Sequence, residues 1–235
     1  MSLRSLLVLL ARTPLHPQWL LGVRKPPEGL QEIRGTLLDV GSADGWIAKY
    51  LDPSVHYIAL DTPTTGKSMY GARPTIFADG RKLPFADDCI DALVCLEVAE
   101  HVDAPDRLFS EAWRVLRPGG EFYFSVPFLY PIHDAPYDFQ RFTSHGLIKM
   151  TNQAGLRVIS IENKTGSIHV AGALVCLAIA GALTSGGWRF LLLPFAAPLV
   201  LIINLSAFFL GLFWPNWDAM TFGYALKAVK PDSDE

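Results

Sequence analysis

The chain of 235 residues carries a formal net charge of −3, enough length for one α/β domain with a full core and no basic excess of the kind that binds nucleic acid. Half of its residues are hydrophobic, high for a soluble enzyme, which points to membrane contact somewhere along the chain. Its three cysteines, Cys89, Cys95 and Cys176, sit in apolar stretches, which argues against a disulfide frame or a zinc site and suits a reducing compartment.

The opening stretch MSLRSLLVLLAR has the look of a signal peptide, but its apolar core from Leu6 to Ala11 is short, Arg12 interrupts it, and no small-residue cleavage site comes after it. It reads as an amphipathic or lid helix. Pro14, Pro17, Pro26 and Pro27 break the chain beyond it, so residues 1–34 form a helical and irregular leading segment. From Gly35 onward strands and helices alternate. The predicted strands are Gly35–Val40, Val55–Leu60 closed by Asp61, Pro74–Ala78, Ile90–Leu96, Glu121–Val126 and Leu156–Ile161. The predicted helices are Gly45–Leu51, Ala104–Leu116 and Thr143–Ala154, the last capped by Thr143 or Ser144. Leu108, Ala112, Val115 and Leu116 make one apolar face of the second, which Arg117–Pro118–Gly119–Gly120 terminates. The Pro/Thr/Gly-rich segment after Asp61 predicts little helix. This alternation predicts the α/β class, a Rossmann-like, doubly wound and mostly parallel sheet.

The composition then changes. Ile168–Thr184 is apolar apart from His169, and Trp188–Trp214 is a second apolar run with one charge at Arg189 and a polar Asn204. At about 1.5 Å per residue the second run is long enough to cross roughly 30 Å of hydrocarbon, while the first is marginal. Pro194 and Pro198 kink or shorten it, and Trp188, Trp214 and Trp217 stand at run ends, where interfacial aromatics belong. Residues 167–217 therefore read as a membrane-associated hairpin rather than two buried core helices. Phe222–Val229 reads as a further strand, followed by a tail at 232–235. A strand beyond the hairpin makes the hairpin an insertion in a domain of residues 35–166 and 218–231.

Leu37–Gly45 (LLDVGSADG) combines a buried strand, an acid at Asp39 and a glycine-bearing turn. Such a turn suits a nucleotide-like ligand, because glycine permits close backbone approach and a helix start offers unpaired N–H groups. Asp61 ends the second predicted strand, where an acid can accept ribose hydroxyls. Asp79 with Gly80 ends the third, and Glu97 ends the fourth. Open α/β sheets bind ligands at these carboxyl ends. The spacing alone does not separate a nicotinamide cofactor from another adenosine-containing one.

LLDVGSADG, YIALD, FADGRKLPFADDCIDALVCLEVAEHV and EAWRVLRPGGEFYFSVPF together resemble class I S-adenosylmethionine-dependent methyltransferases of the type 11-like kind, over roughly Gly35 to Val126 and more weakly over Thr143–Ile161 and Phe222–Pro231. The resemblance implies a seven-stranded sheet whose last strand runs antiparallel between the fifth and sixth, and S-adenosyl-L-methionine as cofactor. It implies that Asp39 with the Gly41, Ser42, Ala43 and Gly45 turn holds the methionine part, Asp61 the ribose, and Asp79 and Gly80 the adenine with Arg81 near. Leu96 and Glu97 would line the reacting end. Ala43 departs from the family's frequent glycine, which matters if that position needs φ > 0.

Pro127–Thr143 gathers His133, Asp134, Tyr137, Asp138 and Arg141 beyond the fifth strand, where a loop on a rigid sheet can meet an acceptor. His133 is the candidate base, needed only if the acceptor is a weak nucleophile such as a hydroxyl. Tyr137, Asp138 and Arg141 are candidate acceptor-binding residues; alternatively Asp138 and Arg141 pair to fix the loop, with Phe139 and Phe142 packed beneath. His101 reads as structural, and no His/Cys/Asp spacing implies a metal. The turn joining the sixth strand to an antiparallel seventh lies at the carboxyl edge, so the hairpin at 168–214 is expected to hold the active-site face toward a bilayer, with the catalytic domain cytoplasmic. The expected acceptor is a small molecule, lipidic or lipid-tethered: a quinone or other isoprenoid, a polyprenyl-linked sugar, or a lipid head group. The alternatives are a soluble acceptor with a plain anchor, and a non-catalytic cofactor-binding or scaffold protein at a membrane.

Overall fold

The structure, a computed structural model, describes residues 13–184 and 186–232. The helix predicted within residues 1–12 lies outside them, as does most of the 232–235 tail. The described residues divide into two units: 25–128, 132–162 and 224–232 form the larger, and 13–24, 129–131, 163–184 and 186–223 the smaller.

The larger unit is built on a seven-stranded sheet. Its strands are β1 (Thr36–Val40), β2 (His56–Asp61), β3 (Ile76–Phe77), β4 (Ile90–Leu96), β5 (Leu116–Pro127), β6 (Arg157–Asn163) and β7 (Gly223–Val229), in the order β3-β2-β1-β4-β5-β7-β6. The first five pair in parallel, with Leu38 opposite both Ile58 and Leu93, and Cys95 opposite Phe124. β7 runs against β5: Gly119 N–H donates to the Lys230 carbonyl at 2.8 Å, and Lys230 N–H to Gly120 at 2.9 Å. The start of β7 therefore meets the carboxyl end of β5, where Phe128 and Tyr224 stack with centroids 5.5 Å apart.

Period-2 alternation sorts the side chains. Leu38 and Val40 of β1, Leu93 and Cys95 of β4, and Phe122 and Phe124 of β5 join one buried cluster. Leu37, Ala92, Val94 and Tyr123 face the other way, onto Leu30, Ile33 and Ile47. Helix α2 (Pro105–Val115) buries Leu108, Phe109, Ala112 and Val115 against the first face. Phe109 meets Phe122 and Phe124 edge-on at 5.5 and 4.8 Å. Helix α3 (Ser144–Gln153) is capped by Thr143, whose hydroxyl accepts from Gly146 N–H at 3.1 Å.

Three elements differ from the sequence reading. The helix expected over Gly45–Leu51 is one 3-10 turn, Ala48–Tyr50. Positive φ at Gly41, Ala43 and Gly45 delays the helical conformation, and Pro53 disfavours it at Asp52, so too few residues remain. Conversely, the segment after β2 holds a short helix, α1 (Thr65–Tyr70), closed by left-handed Gly71 with its N–H on the Lys67 carbonyl. β3 keeps only two residues of Pro74–Ala78, since Pro74 has no N–H to give an edge ladder. β5 starts before the predicted Glu121: Leu116 pairs with Ile90 and Glu121 with Ala92, so Arg117–Gly120 bulges out between them.

The smaller unit is a helical hairpin, α4 (Ser167–Thr184) and α5 (Leu193–Phe213), with the 3-10 turn Trp19–Leu21 packed on it. A Cβ on Gly172 would fall 2.4 Å from that of Ala207, so glycine sets the helix spacing here. Asn204, wholly buried in α5, donates to the Pro14 and His16 carbonyls at 2.7 and 2.9 Å, which satisfies the polar group in an apolar helix. At the base of the hairpin Ser167 N–H meets Asn216 Oδ1 at 2.9 Å, Trp217 N–H meets Ser167 Oγ at 3.1 Å, and Lys164 N–H meets the Gly223 carbonyl at 3.0 Å. α5 is long and apolar enough, by length and composition, to cross a membrane, and most of it is not buried. Phe195, Leu199, Ile202, Phe209 and Phe213 are exposed along it.

The phenylalanine cluster sets a measurable expectation. Phe109→Ala should destabilise the sheet domain by about 3–5 kcal/mol in urea unfolding, against less than about 1 kcal/mol for Ile159→Ala on the exposed face of β6.

Candidate functional site

The ends of β1 and β2 are tied by backbone. Gly41 and Ser42 N–H both donate to the Leu60 carbonyl, at 2.8 and 3.1 Å, and Gly45 N–H closes the turn onto Ser42 at 2.7 Å. Gly41 is obligatory: its φ is +74°, and a Cβ there would lie 2.3 Å from Val98 Cγ2. Asp61 Oδ2 accepts from Ala43 N–H at 2.9 Å, and its Oδ1 from Thr62 N–H at 2.7 Å. Helix α1 approaches so closely that a Cβ on Gly66 would sit 2.1 Å from Asp61 Oδ1. Ala43 has φ +46°, so the position does need the left-handed conformation that glycine adopts more cheaply. Ser42 Oγ is buried without a hydrogen-bond partner among the described residues, a cradle with a donor and acceptor in hand.

Asp39 lies 5% exposed beneath this turn and accepts from the Tyr57 hydroxyl at 2.6 Å. Burial pushes its carboxyl up to about 7; the Tyr57 hydrogen bond opposes the shift, and the charges of Asp61 and Asp44 add to it. Asp79, at the end of β3, is gripped by Arg81 through Nε and Nη2, the latter 2.6 Å from Oδ2. That grip holds its carboxyl below the usual range. Arg81 also reaches Asp103. Gly80 is buried against Leu108 and Val40. Glu97 follows β4 with φ +58°, and Ser125 Oγ donates to its Oε1 at 2.7 Å.

Beyond β5 the loop residues converge on the end of β4. Arg141 forks onto Asp138, at 2.5 Å to Oδ1 and 2.7 Å to Oδ2, and holds that carboxyl down at about 2. Asp138 also accepts from His133 N–H at 2.9 Å and stands 3.2 Å from His133 Nδ1. The pairing of Asp138 with Arg141 thus fixes the loop, one of the two roles expected of these residues. Phe142 is buried beneath it, but Phe139 is 52% exposed, because its N–H is drawn to the Glu100 carbonyl at 2.9 Å. Tyr137 is exposed and offers its ring to solvent. Gln140 ties the loop down by donating to the Ala99 and Val102 carbonyls.

Two clusters result: Asp39, Ser42, Ala43 and Asp61 at the β1–β2 ends, and Glu97, Glu100, His101, His133, Asp138 and Arg141 around β4 and β5. Sequence reasoning passes over Tyr57, Gly66, Glu100 and Gln140. Tyr57 sits two residues before Ala59, the register partner of Asp39, so its role is recoverable once β1 and β2 are paired. Nothing in the local pattern marks Glu100, which is fully buried with its carboxyl raised to about 8, by burial first and then by the charge of Glu97.

Residues 38–124 match the family described as a methyltransferase domain. An uncharacterized methyltransferase of Mycobacterium avium is 43% identical over 94 residues, 36% of each chain. Another, from Mycobacterium tuberculosis, is 39% identical over 109 residues, 43% of this chain and 41% of that one. The chain thus spans well under half the length of these curated relatives. Among solved structures, geranyl diphosphate C-methyltransferase from Streptomyces coelicolor superposes with a TM-score of 0.53 at 13% identity, over 86% of this chain and 74% of that one. A cyclase does so with a TM-score of 0.53 at 17% identity, over 87% and 78%. These structural likenesses are of fold alone, and the fold serves an enzyme named for another reaction. Over residues 38–124 the chain is thus similar to a methyltransferase domain.

The buried Asp39 carboxyl predicts a pH effect. The native group keeps its proton up to about pH 7, whereas the unfolded one releases it near pH 4, so ligand-free stability should fall from about pH 4 to 7 and stay low above. Asp39→Asn should raise the melting temperature at pH 8, by at most about 4 kcal/mol in stability, with the gain vanishing near pH 4. Calorimetry at the two pH values checks it.

Proposed function

We propose that this chain is an S-adenosylmethionine-dependent methyltransferase acting on a lipidic or lipid-tethered small molecule, from a membrane-associated position with its sheet domain on the cytoplasmic side. One observation carries the acceptor class: the chain leaves the sheet after β6 and returns at the start of β7, which lies at the carboxyl edge with the glycine turn, and the segment between is an exposed apolar hairpin. An apolar surface of that extent finds its natural solvent in lipid.

The residues at the β1–β2 ends fit the cofactor. Gly41 admits a ligand close to the backbone, Ser42 Oγ has unspent hydrogen-bonding capacity, and Asp39 places a buried carboxyl beneath the turn, one that a cationic ligand would draw into its charged form. In this reading Asp39 with Gly41, Ser42 and Gly45 holds the methionine part, Asp61 the ribose, Asp79 and Gly80 the adenine, and Leu96 and Glu97 border the reacting end. When bound, S-adenosylmethionine supplies a methyl group on a sulfonium sulfur, open to in-line displacement. The protein's task is to align the acceptor. Tyr137, Asp138 and Arg141 belong to the loop that does so, and where the acceptor is a hydroxyl, His133 is the residue of that loop able to take its proton.

Titration calorimetry of the full chain with S-adenosylmethionine should show one site, weakened at least about tenfold by Asp61→Ala, the loss of one charged hydrogen-bond acceptor. Gly66→Ala should weaken it comparably, because its Cβ cannot coexist with Asp61 in place. Mass spectrometry of membrane lipids from cells with the wild-type chain or Asp61→Ala then tests the acceptor. One lipid class should be heavier by a methylene only with the wild type. If the heavier product appears among water-soluble metabolites instead, the lipid assignment is wrong.

A further inference from the structure

A second group of side chains at the carboxyl edge has a chemistry that methyl transfer does not require. Glu100 is 0% exposed, and neither of its carboxylate oxygens accepts a hydrogen bond among the described residues. Two imidazoles point at the same oxygen of it: His101 Nε2 lies 3.6 Å from Oε1, and His133 Nε2 3.9 Å. The rings stand edge-to-face with centroids 4.9 Å apart. One ligand atom from each of the three residues falls within 4.8 Å of the others.

The far side of each ring explains the aim. His101 Nδ1 lies 3.1 Å from the Tyr137 carbonyl, and His133 Nδ1 lies 3.2 Å from Asp138 Oδ2. The Tyr137 carbonyl holds a proton on Nδ1 of His101 and presents its Nε2 lone pair, as outer partners of metal-bound histidines do, while Nδ1 of His133 faces both the Asp138 carboxylate and, at 3.5 Å, Arg141 Nη2. Asp138 is itself locked by the two-pronged grip of Arg141, which neutralises the arginine's charge close to the cluster. Asp134 Oδ2, 3.8 Å from His101 Nε2, supplies a further oxygen at the rim.

We propose that Glu100, His101 and His133 form a binding site for one divalent first-row transition cation of the zinc type, with Asp134 at the remaining position. Two histidine nitrogens and a carboxylate oxygen are a recurrent donor set for such ions. Ligands on one tetrahedral zinc stand about 3.3 Å apart, so the observed separations close with side-chain adjustments below about 1 Å. The cation and a proton compete for His133 Nε2, so the metal role and the base role exclude each other in any one molecule. The site does not depend on the methyl-transfer reading.

The test uses the full chain, freed of any affinity tag and of metal by chelation, and titrated separately with zinc and cobalt(II). Elemental analysis after gel filtration should find one cation per chain, and cobalt should give the visible d–d absorption of a low-coordinate nitrogen–oxygen site. Asp138→Asn, which removes the carboxylate charge beside His133 Nδ1 and loosens the Arg141 grip, should weaken binding about 10- to 100-fold. His133→Ala and Glu100→Gln should weaken it more, and His145→Ala, outside the cluster, should leave it unchanged. Circular dichroism establishes that each variant is folded, and should Glu100→Gln fail to fold, His133→Ala and Asp138→Asn decide. Substoichiometric cation in the wild type, or equal affinity in wild type, His133→Ala and Asp138→Asn, would overturn the assignment.

Discussion

Buried carboxyl groups govern the ligand edge of this protein. Asp39, Asp61 and Glu100 are each less than a tenth exposed; the first two lie at the carboxyl ends of parallel strands and Glu100 in the turn after β4. A carboxylate taken out of water costs several kcal/mol unless something offsets it. The three are offset differently. Asp61 accepts from two backbone N–H groups and Asp39 from one phenol, while Glu100 accepts no hydrogen bond among the described residues. The second and third are therefore sites where a cation would be welcome, the one in a glycine cradle suited to a cationic cofactor, the other among imidazoles.

The same edge concentrates backbone strain. Ala43, Glu97 and Asp134 all have positive φ without being glycine, at about 1–3 kcal/mol each. Such conformations persist where the surroundings over-determine them. Here the surroundings are visible: Ala43 N–H is claimed by Asp61, Glu97 by Ser125 on both N–H and carboxylate, and Asp134 carries the turn onto Tyr137 N–H at 3.1 Å. The rigid sheet beneath, with its phenylalanine cluster, absorbs what these turns cost. The hairpin follows a different pattern. Its helices are apolar on most faces, the buried Asn204 amide is satisfied by the Pro14 and His16 carbonyls, and large apolar side chains such as Phe195, Ile202 and Phe213 are exposed along it.

Much of the frame is legible in the chain itself. β4 is predicted to the residue, because IDALVCL is apolar apart from Asp91 and is set off by turn-forming residues on one side and an acid on the other. α2 comes from its apolar face and the Pro–Gly–Gly stop, and the Thr143 cap from its hydroxyl just before the helix. The glycine turn and its three strand-end acids stand out because strand, acid and glycine are adjacent in sequence. Gly45–Leu51 misleads, because its apolar spacing is helical while positive φ at Ala43 and Gly45 forbids a helix from starting in time.

By itself the sequence determined the layer order of an α/β sheet, the position of the cofactor-type turn and the existence of an apolar insertion, since each is a local pattern of hydrophobic period, glycine and charge. Only the tertiary structure decided what those patterns meet. Tyr57 reaches Asp39 because β1 and β2 pair in parallel register, and Gly66 is required because α1 packs on Asp61. Glu100, His101 and His133 are brought together because β4 and β5 are neighbours in the sheet, so that the turn after one faces the loop after the other. Convergence across more than thirty positions is set by strand pairing, a non-local choice that no run of adjacent residues encodes.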